Sequence, residues 1–412
     1  MSGMSGMNPN MLGHIRVLDL SLFLSGPYGS QILGDMGAEV IKVEPSGGDM
    51  TRQLPPNFIA GDSAYFHSVN RNKKSIVINY KTPEGLALLK QLAMQCDVLL
   101  ENQKPGGLAE HGITYETMSA VNPRIVYCSI SGFGQDGPEH QRPAYDMVIQ
   151  AVSGGMSLTG EPEGSSVRAG IPLADLSAGM YAATSICAAL ESRNVTGRGR
   201  YIDISMLDCQ IAMLTYQASY YLASGTVPGR QGKGHESIPS YRSFTARDGR
   251  DVVVCANTDR MWQSLCEAAG LTELGAEPDL ATRRGRYYHR DRIIAAFDKA
   301  FAEKDADDWV SALLAAGVPV GTVNTVGEAL ANPQVSWRNM ILELTDDEGH
   351  HLRVAGNPIK LPHDGECDHT FPPRLAQHTQ EVLRQVLGLS DEEVLSLEGR
   401  GVVRLANKKE AS

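Results

Sequence analysis

The feature that most constrains the fold is a regular alternation of apolar β-type runs with helical patterns between residues 15 and 130. The runs are "IRVLDL", "EVIKVE", "SIVINY", "DVLLEN" and "IVYCSI". In "TPEGLALLKQLAMQ", leucines recur at helical spacing behind Thr82, an expected N-cap, and Pro83 in the first turn. Such alternation forms βαβ units and a parallel sheet, so we predict an α/β fold. Ligands of these sheets bind beyond the carboxyl ends of the strands, here the turns Ser25–Gly29, Pro45–Thr51 and Asn102–Gly107.

The first of these units, "SGPYGSQILGDMGAEVIKVE", resembles the start of a dinucleotide-binding domain. Such a domain needs G-x-G-x-x-G, because the backbone must approach a pyrophosphate, and an acidic residue near the end of the second strand. Glu44 meets the second requirement, but the glycines do not match and Pro27 occupies the turn. A nicotinamide-dependent dehydrogenase is therefore the least favoured function.

Length, charge and cysteine usage narrow the function classes further. A chain of 412 residues can bury a large core and form two domains, or one large α/β domain with a substantial insertion. The net charge of -11 argues against sequence-independent binding to nucleic acid and against anionic membranes, since both require a basic face. Seven single cysteines without a C-x-x-C pair predict reduced thiols, with neither disulfides nor zinc. No leader pattern and no apolar run of roughly 20 residues is evident, so we expect a cytoplasmic protein.

Changes in composition divide the chain. Small-residue helices and the strand "RYIDISML" fill residues 140–225, and the loop "GRQGKGHESIPSYRSF" then opens a more polar segment with the strand "DVVVCAN". We predict a large α/β domain at residues 11–225, completed by residues 335–412, and a small α+β domain at residues 230–330.

The most informative candidate for chemistry is the segment "GIPLADLSAGMYAA", because no serine elbow, H-E-x-x-H or Walker loop occurs. Asp175 follows an apolar stretch and precedes a helix of small residues. A carboxylate there would lie at a helix N-terminus, where free N–H groups favour negative charge and small neighbours admit a ligand. The spacing alone, however, favours an ordinary N-cap for Asp175.

Three further segments could bind a ligand, and each has a plain structural alternative. The first is the basic cluster "NRNKKS", whose cations are Arg71, Lys73 and Lys74. These cations could pair with phosphate or carboxylate, or lie in a solvated loop. The loop "QGKGHE" has glycines that permit positive φ and thus a mobile lid ending at His235, although a surface turn explains it nearly as well. In "GFGQDGPEHQRPAYD", a glycine-rich turn precedes Arg142 and Tyr145 and could admit a bulky ligand or form tight turns.

Taken in order, seven segments resemble the family III CoA-transferases of the CaiB/BaiF type. They are "VLDLSLFLSGP", "GDMGAEVIKVEPSGGDMTR", "SVNRNKKSI", "VLLENQKPGGL", "YCSISGFGQDGP", "LADLSAGMYAA" and "TGRGRYIDISMLD". The resemblance runs from about residue 14 to 385. It implies a Rossmann-like large domain that binds coenzyme A, with no metal and no nicotinamide, and a homodimer in which two chains form interlocked rings.

The resemblance also implies a mechanism in which Asp175 is the nucleophile. Attack on the acyl-CoA thioester would give a mixed anhydride and then an aspartyl-CoA thioester, and the acceptor carboxylate would repeat the sequence in reverse. The "QGKGHE" loop matches the family's glycine-rich lid, so Gly232, Gly234 and His235 become substrate contacts. Tyr145 matches a tyrosine close to the nucleophile.

Coenzyme A contacts follow by position. They are Phe23 and Leu24 at the reacting end, Asn102 and Gln103 along the pantetheine, the backbone of Ile78, Asn79 and Lys81 around the adenine, and the cations Lys73, Lys74 and Arg142. The sequence departs from the oxalate enzyme of the family at Leu24, which replaces a glutamine, and at Glu110 and Ser131, which replace basic residues.

The segments "SVNRNKKSI" and "GKGHESIPSY" look most like the succinyl-CoA:dicarboxylate branch, whose acceptors include glutarate, itaconate, mesaconate and citramalate. The second carboxylate of such an acceptor needs a cation once it is desolvated. We assign Arg71 to it, with His235 as a second candidate. The alternatives are an oxalate-type transferase, a catalytically silent CoA-binding protein, and an acyl-CoA racemase of the same fold, which should have a histidine in place of Tyr145.

Overall fold

A computed structural model describes residues 10–361, 365 and 367–406. These residues form two compact units. The first consists of the described residues up to Gly155, of Arg168–Ala223, and of the described residues from Ser336 onward. The second consists of Met156–Val167 and Ser224–Val335. All seven cysteines are unpaired, as the sequence predicts.

The secondary structure alternates between strands and helices along the first third of the chain. The strands are β1 (Arg16–Asp19), β2 (Glu39–Glu44), β3 (Phe58–Ile59), β4 (Asp62–Ser63), β5 (Lys73–Ile78), β6 (Val98–Glu101), β7 (Val126–Ser131), β8 (Tyr201–Ser205), β9 (Tyr241–Thr245), β10 (Asp251–Cys255), β11 (Val320–Thr322), β12 (Ile341–Thr345), β13 (His351–Ala355) and β14 (Val403–Arg404).

The helices are α1 (Ser25–Asp35), α2 (Ala64–Ser68), α3 (Pro83–Met94), α4 (Tyr115–Val121), α5 (Asp146–Val152), α6 (Gly155–Leu158), α7 (Leu173–Thr196), α8 (Met206–Met213), α9 (Tyr216–Ser224), α10 (Asp259–Ala268), α11 (Thr272–Ala276), α12 (Arg283–Tyr288), α13 (Arg290–Phe301), α14 (Ala306–Ala315), α15 (Val326–Leu330), α16 (Pro333–Trp337), α17 (Thr379–Leu387) and α18 (Asp391–Gly399). Thr82 caps α3 through its side chain, with Pro83 in the first turn, as predicted.

The first unit is built on a mixed sheet of seven described strands in the order β14-β5-β2-β1-β6-β7-β8. All neighbouring pairs are parallel except β14 with β5. The five apolar runs of the sequence form β1, β2, β5, β6 and β7, so the prediction of an α/β fold is confirmed. These strands are apolar on both faces because helices cover both sides of a parallel sheet. One core contains residues of α3, α4, α17 and α18, and the other contains residues of α1 and α7.

Helix α7 packs closely along α1. The two helices touch at Gly29 and Gly179, where a Cβ atom built on Gly179 would lie 2.6 Å from the carbonyl oxygen of Ser25. By length and hydropathy α7 could also span a membrane, which corrects the expectation that no apolar run is long enough. Half of its apolar window is buried, however, and the small residues Ala174, Ala178 and Ala182 lie in the core. In this fold α7 is a core helix.

The second unit has its own core. Three antiparallel strands in the order β11-β10-β9 form its sheet. Aromatic side chains of α10, α13 and α14 pack on this sheet, and Trp262, Phe297, Phe301 and Trp309 are fully or almost fully buried. Aromatic burial of this size gives the unit a hydrophobic core independent of the first.

Candidate active site

The candidate site lies where the order of the main sheet reverses, between β1 and β6. From β1 the chain first builds outward through β2 and β5, and then returns to add β6, β7 and β8 on the other side. The segments that follow β1 and β6 meet at this point: the Leu22 N–H donates to Asn102 Oδ1 at 2.8 Å, and Asn102 Nδ2 donates to the Leu22 carbonyl at 2.7 Å. Parallel α/β sheets bind ligands in such a crevice.

A cavity of about 380 Å³ opens at this crevice, entirely within the first unit. Its walls come from segments 22–25, 102–105, 130–132 and 142–145, together with Asp175 and Met206. We call it the Asp175 cavity. Phe23 and Tyr145 meet edge to face across one wall, with ring centroids 5.8 Å apart. A cavity of this volume can accept the reacting end of a small-molecule substrate.

Asp175 lies in the first turn of α7 but does not cap it. The N-cap residue is Pro172, so the interpretation of Asp175 as an N-cap is wrong. Instead, Asp146 Oδ1 accepts the N–H of Ala174 at 2.8 Å and that of Asp175 at 3.4 Å. Asp146 therefore occupies helix donors that were expected to be free for a ligand, and it brings a second carboxylate close to Asp175.

The environment of Asp175 favours its protonated form. Burial, followed by the charge of Asp146, raises the pKa of Asp175 to about 7, and a hydrogen bond from Ser25 lowers it in part. Tyr65 lies near the same carboxylates. Burial and the charges of Asp175, Asp49 and Asp146 raise the pKa of Tyr65 to about 12. A carboxylate with a raised pKa is more basic, and pKa values displaced in this way are typical of catalytic groups.

A buried ionic network holds the wall that carries Phe23. Phe23 has a left-handed backbone (φ 62°), which is unfavourable for a bulky residue. The Phe23 N–H donates to Asp49 Oδ1 at 3.5 Å, and Lys42 bonds the Ser21 carbonyl at 2.8 Å and Asp49 at 2.9 Å. Burial opposes ionisation of Asp19, but Lys73, Lys42 and two serine hydroxyls hold its pKa below the ordinary value. The network keeps this strained segment in place.

Five of the predicted coenzyme A and substrate contacts lie in the Asp175 cavity. Those that line it are Phe23, Asn102, Gln103, Arg142 and Tyr145. Leu24 does not line it, since its side chain is buried at the start of α1. Residues 78–81 lie at the carboxyl end of β5, where the Asn79 N–H bonds the Val402 carbonyl. Gln103 Nε2 donates to the Tyr80 hydroxyl at 3.3 Å and so connects this turn to the cavity.

The basic cluster lies elsewhere. Lys73 and Lys74 begin β5 and do not line the cavity, although the Lys73 ammonium reaches Asp19 at the carboxyl end of β1. The Lys73 ammonium is fully buried and bonded to Asp19, the Pro27 carbonyl and Asn70, so its contact with coenzyme A stays a prediction without support from these contacts. Lys74 pairs with two glutamates, at 3.0 and 2.9 Å.

Arg71 is also engaged within the protein. Its side chain is 3% exposed and forms a bidentate pair with Asp35, and its remaining nitrogen donates to the Ala355 carbonyl at 2.8 Å. The structure does not bring it to the Asp175 cavity. The cations that line the cavity are Lys104 and Arg142. The assignment of Arg71 to the second carboxylate stays a prediction without support from these contacts.

Gly232, Gly234 and His235 belong to the second unit. Gly232 has a left-handed backbone (φ 54°), and a Cβ there would lie 2.8 Å from Pro162, so the position requires glycine. His235 stacks on Tyr241, with ring centroids 5.5 Å apart, and its Nδ1 accepts the Ser237 N–H at 3.1 Å. Their role as lid and substrate contacts stays a prediction.

Sequence reasoning missed several residues of the cavity region. They are Ser25, Tyr65, Lys104, Ser131 and Asp146. Ser131 was noted in the sequence only as a replacement of a basic residue and not as part of a cavity. Ser25 and Lys104 fall within two turns that the strand pattern already marked as ligand sites. Asp146 directly follows Tyr145, but its sequence neighbours do not reveal that it reaches the start of α7.

One group of side chains has the composition of a metal site. Asp346, Glu348 and His350 lie close enough together to share an ion. Arg374 already pairs with Glu348 at 2.8 Å, and His350 bonds Asp346 at 2.8 Å. These acids therefore have cationic and hydrogen-bonding partners within the chain.

Comparison with known proteins identifies similar sequences over nearly the whole chain. The sequence profile "CoA-transferase family III" matches residues 12–379. Human succinyl-CoA:glutarate CoA-transferase is 38% identical over 403 residues, which is 98% of this chain and 91% of that protein. Acetyl-CoA:oxalate CoA-transferase of Acetobacter aceti is 39% identical over 347 residues, which is 84% of this chain and 87% of that protein.

A solved structure shares the fold. The crystal structure of a CAIB/BAIF family protein from Brucella suis aligns with a TM-score of 0.81 at 35% identity. The alignment covers 92% of this chain and 100% of that one.

Proposed function

Because this chain belongs to CoA-transferase family III and is a CoA-transferase, we propose that it moves coenzyme A from succinyl-CoA to a dicarboxylate acceptor through covalent intermediates on Asp175. The observation that carries the proposal is a single one: the only aspartate lining the cavity at the crevice of the sheet, among the described residues, is one with a pKa raised to about 7. The acceptor class is supported by two relatives whose names specify dicarboxylates, glutarate and oxalate.

The chemistry follows from the carboxylate. Asp175 attacks the thioester carbonyl of the donor, which gives an aspartyl-acyl anhydride and releases CoA thiolate. The thiolate attacks the aspartyl carbonyl, so that succinate leaves and an aspartyl-CoA thioester remains. The acceptor carboxylate then attacks this thioester, and the released thiolate attacks the acceptor side of the new anhydride. The covalent route divides one difficult transfer into several easier acyl transfers. Asp175 is regenerated without net gain of a proton.

The choice of acceptor rests on the pocket and not on overall identity, because glutarate and oxalate relatives are similarly close. Lys104 and Arg142 are the cations of the Asp175 cavity among the described residues. Arg142 already pairs with Glu139 at 3.0 Å, whereas Lys104 has no carboxylate partner in the described part of the chain. Glutarate, itaconate, mesaconate and citramalate remain the acceptors to compare with oxalate.

An interlocked homodimer completes the proposal. Its support is the resemblance to the family and the large apolar side chains that lie exposed on α7, α8 and α9. These include Met180, Tyr181, Ile211, Tyr221 and Leu222. Side chains of this kind are commonly buried between subunits. Light scattering coupled to gel filtration should give twice the chain mass of 44.5 kDa.

Isotope transfer tests the mechanism directly. With an acceptor labelled by ¹⁸O in its carboxylates, the proposed route leaves one labelled oxygen on Asp175 after each turnover. Mass spectrometry of the peptide that contains Asp175 should show one ¹⁸O in the wild type after a single turnover and up to two after many turnovers, whereas Asp175→Asn should be inactive with unchanged folding. Transfer activity without label on Asp175 would refute the covalent route.

A further inference from the structure

The start of helix α7, which carries Asp175, is held by groups outside the helix. Its N-cap residue, Pro172, has no side-chain oxygen that could accept a hydrogen bond from the first turn. The N–H groups of Ala174 and Asp175 bond Asp146 of α5 instead. All of these residues belong to the first unit. The position of the candidate nucleophile therefore depends on what keeps Asp146 in place.

The side chain of Gln150 holds Asp146. One turn further along α5, Gln150 donates from Nε2 to Asp146 Oδ2 at 2.7 Å. Its Oε1 accepts the N–H of Ala169 at 3.0 Å, and Nε2 also donates to the Ile171 carbonyl at 3.5 Å. One amide thus connects α5 to the segment 169–171, which leads directly into α7. Gln150 is 3% exposed, so these bonds are shielded from water.

The orientation of the Gln150 amide is fixed by its partners. The Ala169 N–H can only donate, so it must face Oε1, whereas an ionised carboxylate can only accept, so Asp146 must face Nε2. A glutamine four residues after an aspartate lies on the same face of the helix, which suits this bond. The two partners together require a side chain that both donates and accepts.

We propose that Gln150 is a positioning residue for the transferase reaction: it fixes Asp146, and through Asp146 the first turn of α7 and the direction in which Asp175 meets the thioester. The consequence for rate rests on the proposed function, whereas the bonds belong to the free protein. Gln150 does not line the Asp175 cavity, so it acts through Asp146 and not on the substrate. Its loss should displace the nucleophile, and a misplacement near 1 Å can reduce turnover about 100-fold.

The first test removes the amide. Gln150→Met deletes the donor and the acceptor and keeps an unbranched, flexible side chain. Gln210→Met is the matched control, because Gln210 is a buried glutamine of α8 that also donates to α7, but to the Ser177 hydroxyl at 3.2 Å and not to the cap of the helix.

The second test reverses the bond between positions 146 and 150. Asp146→Asn keeps an oxygen for the helix N–H groups but places a second NH₂ group against the Gln150 donor. Asp146→Asn combined with Gln150→Glu again pairs one donor with one acceptor, and the acceptor for the Ala169 N–H is kept. Only the weak bond to the Ile171 carbonyl is lost in this double variant.

Two readouts distinguish failure of this proposal from failure of the proposed function. The first is hydrogen–deuterium exchange of the Ala174 and Asp175 amides in the free protein, resolved by mass spectrometry with electron-transfer fragmentation. It requires no transferase activity, and the far end of α7, residues 186–196, serves as an internal reference for folding. The second is kcat and KM for succinyl-CoA with glutarate. If the wild type transfers no coenzyme A, the proposed function fails while the exchange rates still test the role of Gln150.

In Gln150→Met the two amides should exchange about tenfold faster or more, since hydrogen bonds to a charged group are weakened, while residues 186–196 exchange as in the wild type. The value of kcat should fall about tenfold or more with KM changed less than about twofold, because the geometry of attack is altered and not the binding of acyl-CoA. Gln210→Met should match the wild type in both readouts. The double variant should be better protected and faster than Asp146→Asn alone.

Three results would overturn the proposal. Unchanged exchange in Gln150→Met would show that Asp146 keeps its place without Gln150. An equal effect in Gln210→Met would show a general response of α7 to the loss of a buried amide. A double variant that keeps residues 186–196 protected but improves neither readout over Asp146→Asn would show that the bond between positions 146 and 150 has no role. If Gln150→Met loses protection throughout α7, the comparison of Asp146→Asn with the double variant decides alone.

Discussion

Substitution of Gly179 by alanine tests how closely the α1–α7 crossing controls the site. A Cβ at this position would lie 2.6 Å from the Ser25 carbonyl oxygen and 3.1 Å from the Gly29 nitrogen. Ordinary contacts begin near 3.4 Å, so the backbones must separate by about 0.8 Å. Overpacking of this kind costs about 1–3 kcal/mol, against about 1 kcal/mol gained from the higher helix propensity of alanine. We expect Gly179→Ala to lose up to about 2 kcal/mol of unfolding free energy.

The same displacement should affect catalysis more strongly than stability. It moves Ser25 away from Asp175, and a misplacement near 1 Å can reduce turnover about 100-fold. Urea unfolding and kcat measured on the same preparation test both effects. The control is Gly399→Ala in α18, where no other heavy atom lies within 4 Å of the new Cβ and the substitution should be neutral or slightly stabilising. If Gly179→Ala matches this control in stability and the wild type in kcat, the packing argument is wrong.

Three further substitutions have expected outcomes. Burial and the charge of Asp146 together raise the pKa of Asp175. Asp146→Asn removes that charge, so the acidic limb of kcat/KM should move to lower pH, and an unmoved limb would contradict this account. Burial raises the pKa of Glu101 to about 7, so the folded state retains a proton that the unfolded chain releases and stability should fall as pH rises through this range. Glu101→Gln should reduce the difference in unfolding free energy between pH 4 and pH 8 by up to about 3 kcal/mol, and an unchanged difference would exclude Glu101 as its source. Ser131→Ala removes a buried cavity hydroxyl that has no hydrogen-bond partner in the described structure. The free protein should therefore be equally stable or about 1 kcal/mol more stable, whereas KM for acyl-CoA should rise. A loss of stability with unchanged KM would show that the hydroxyl serves the fold and not the ligand.

Much of the first unit was predictable because its signals are local. Apolar runs that alternate with helical patterns define the parallel strands, and Thr82 with Pro83 marks the start of α3 in a stretch of a few residues. Since parallel strands expose their carboxyl ends at one edge, the turn at residues 102–107 could be identified as part of a site before any contact was known. The resemblance then singled out Asp175, and the structure places it in the cavity at that edge.

The environment of each charged group was not predictable in the same way. Arg71 and Lys73 look alike as members of a basic cluster, yet one is neutralised by Asp35 and the other by Asp19, partners 36 and 54 positions away in the sequence. Asp146 reaches Asp175 across 29 positions. Burial and ion pairing depend on which distant segments the fold brings together.

The sequence by itself determined the order of the elements, the parallel sheet and the identity of the nucleophile candidate, since periodicity, turn residues and motifs are written in neighbouring positions. The tertiary structure alone decided which cations remain available to a ligand, which carboxylate lies beside Asp175, and why the pKa of Asp175 is raised. Those properties arise from desolvation and from hydrogen bonds between α1, α5, α7 and the segment after β6, none of which exists until the chain has folded.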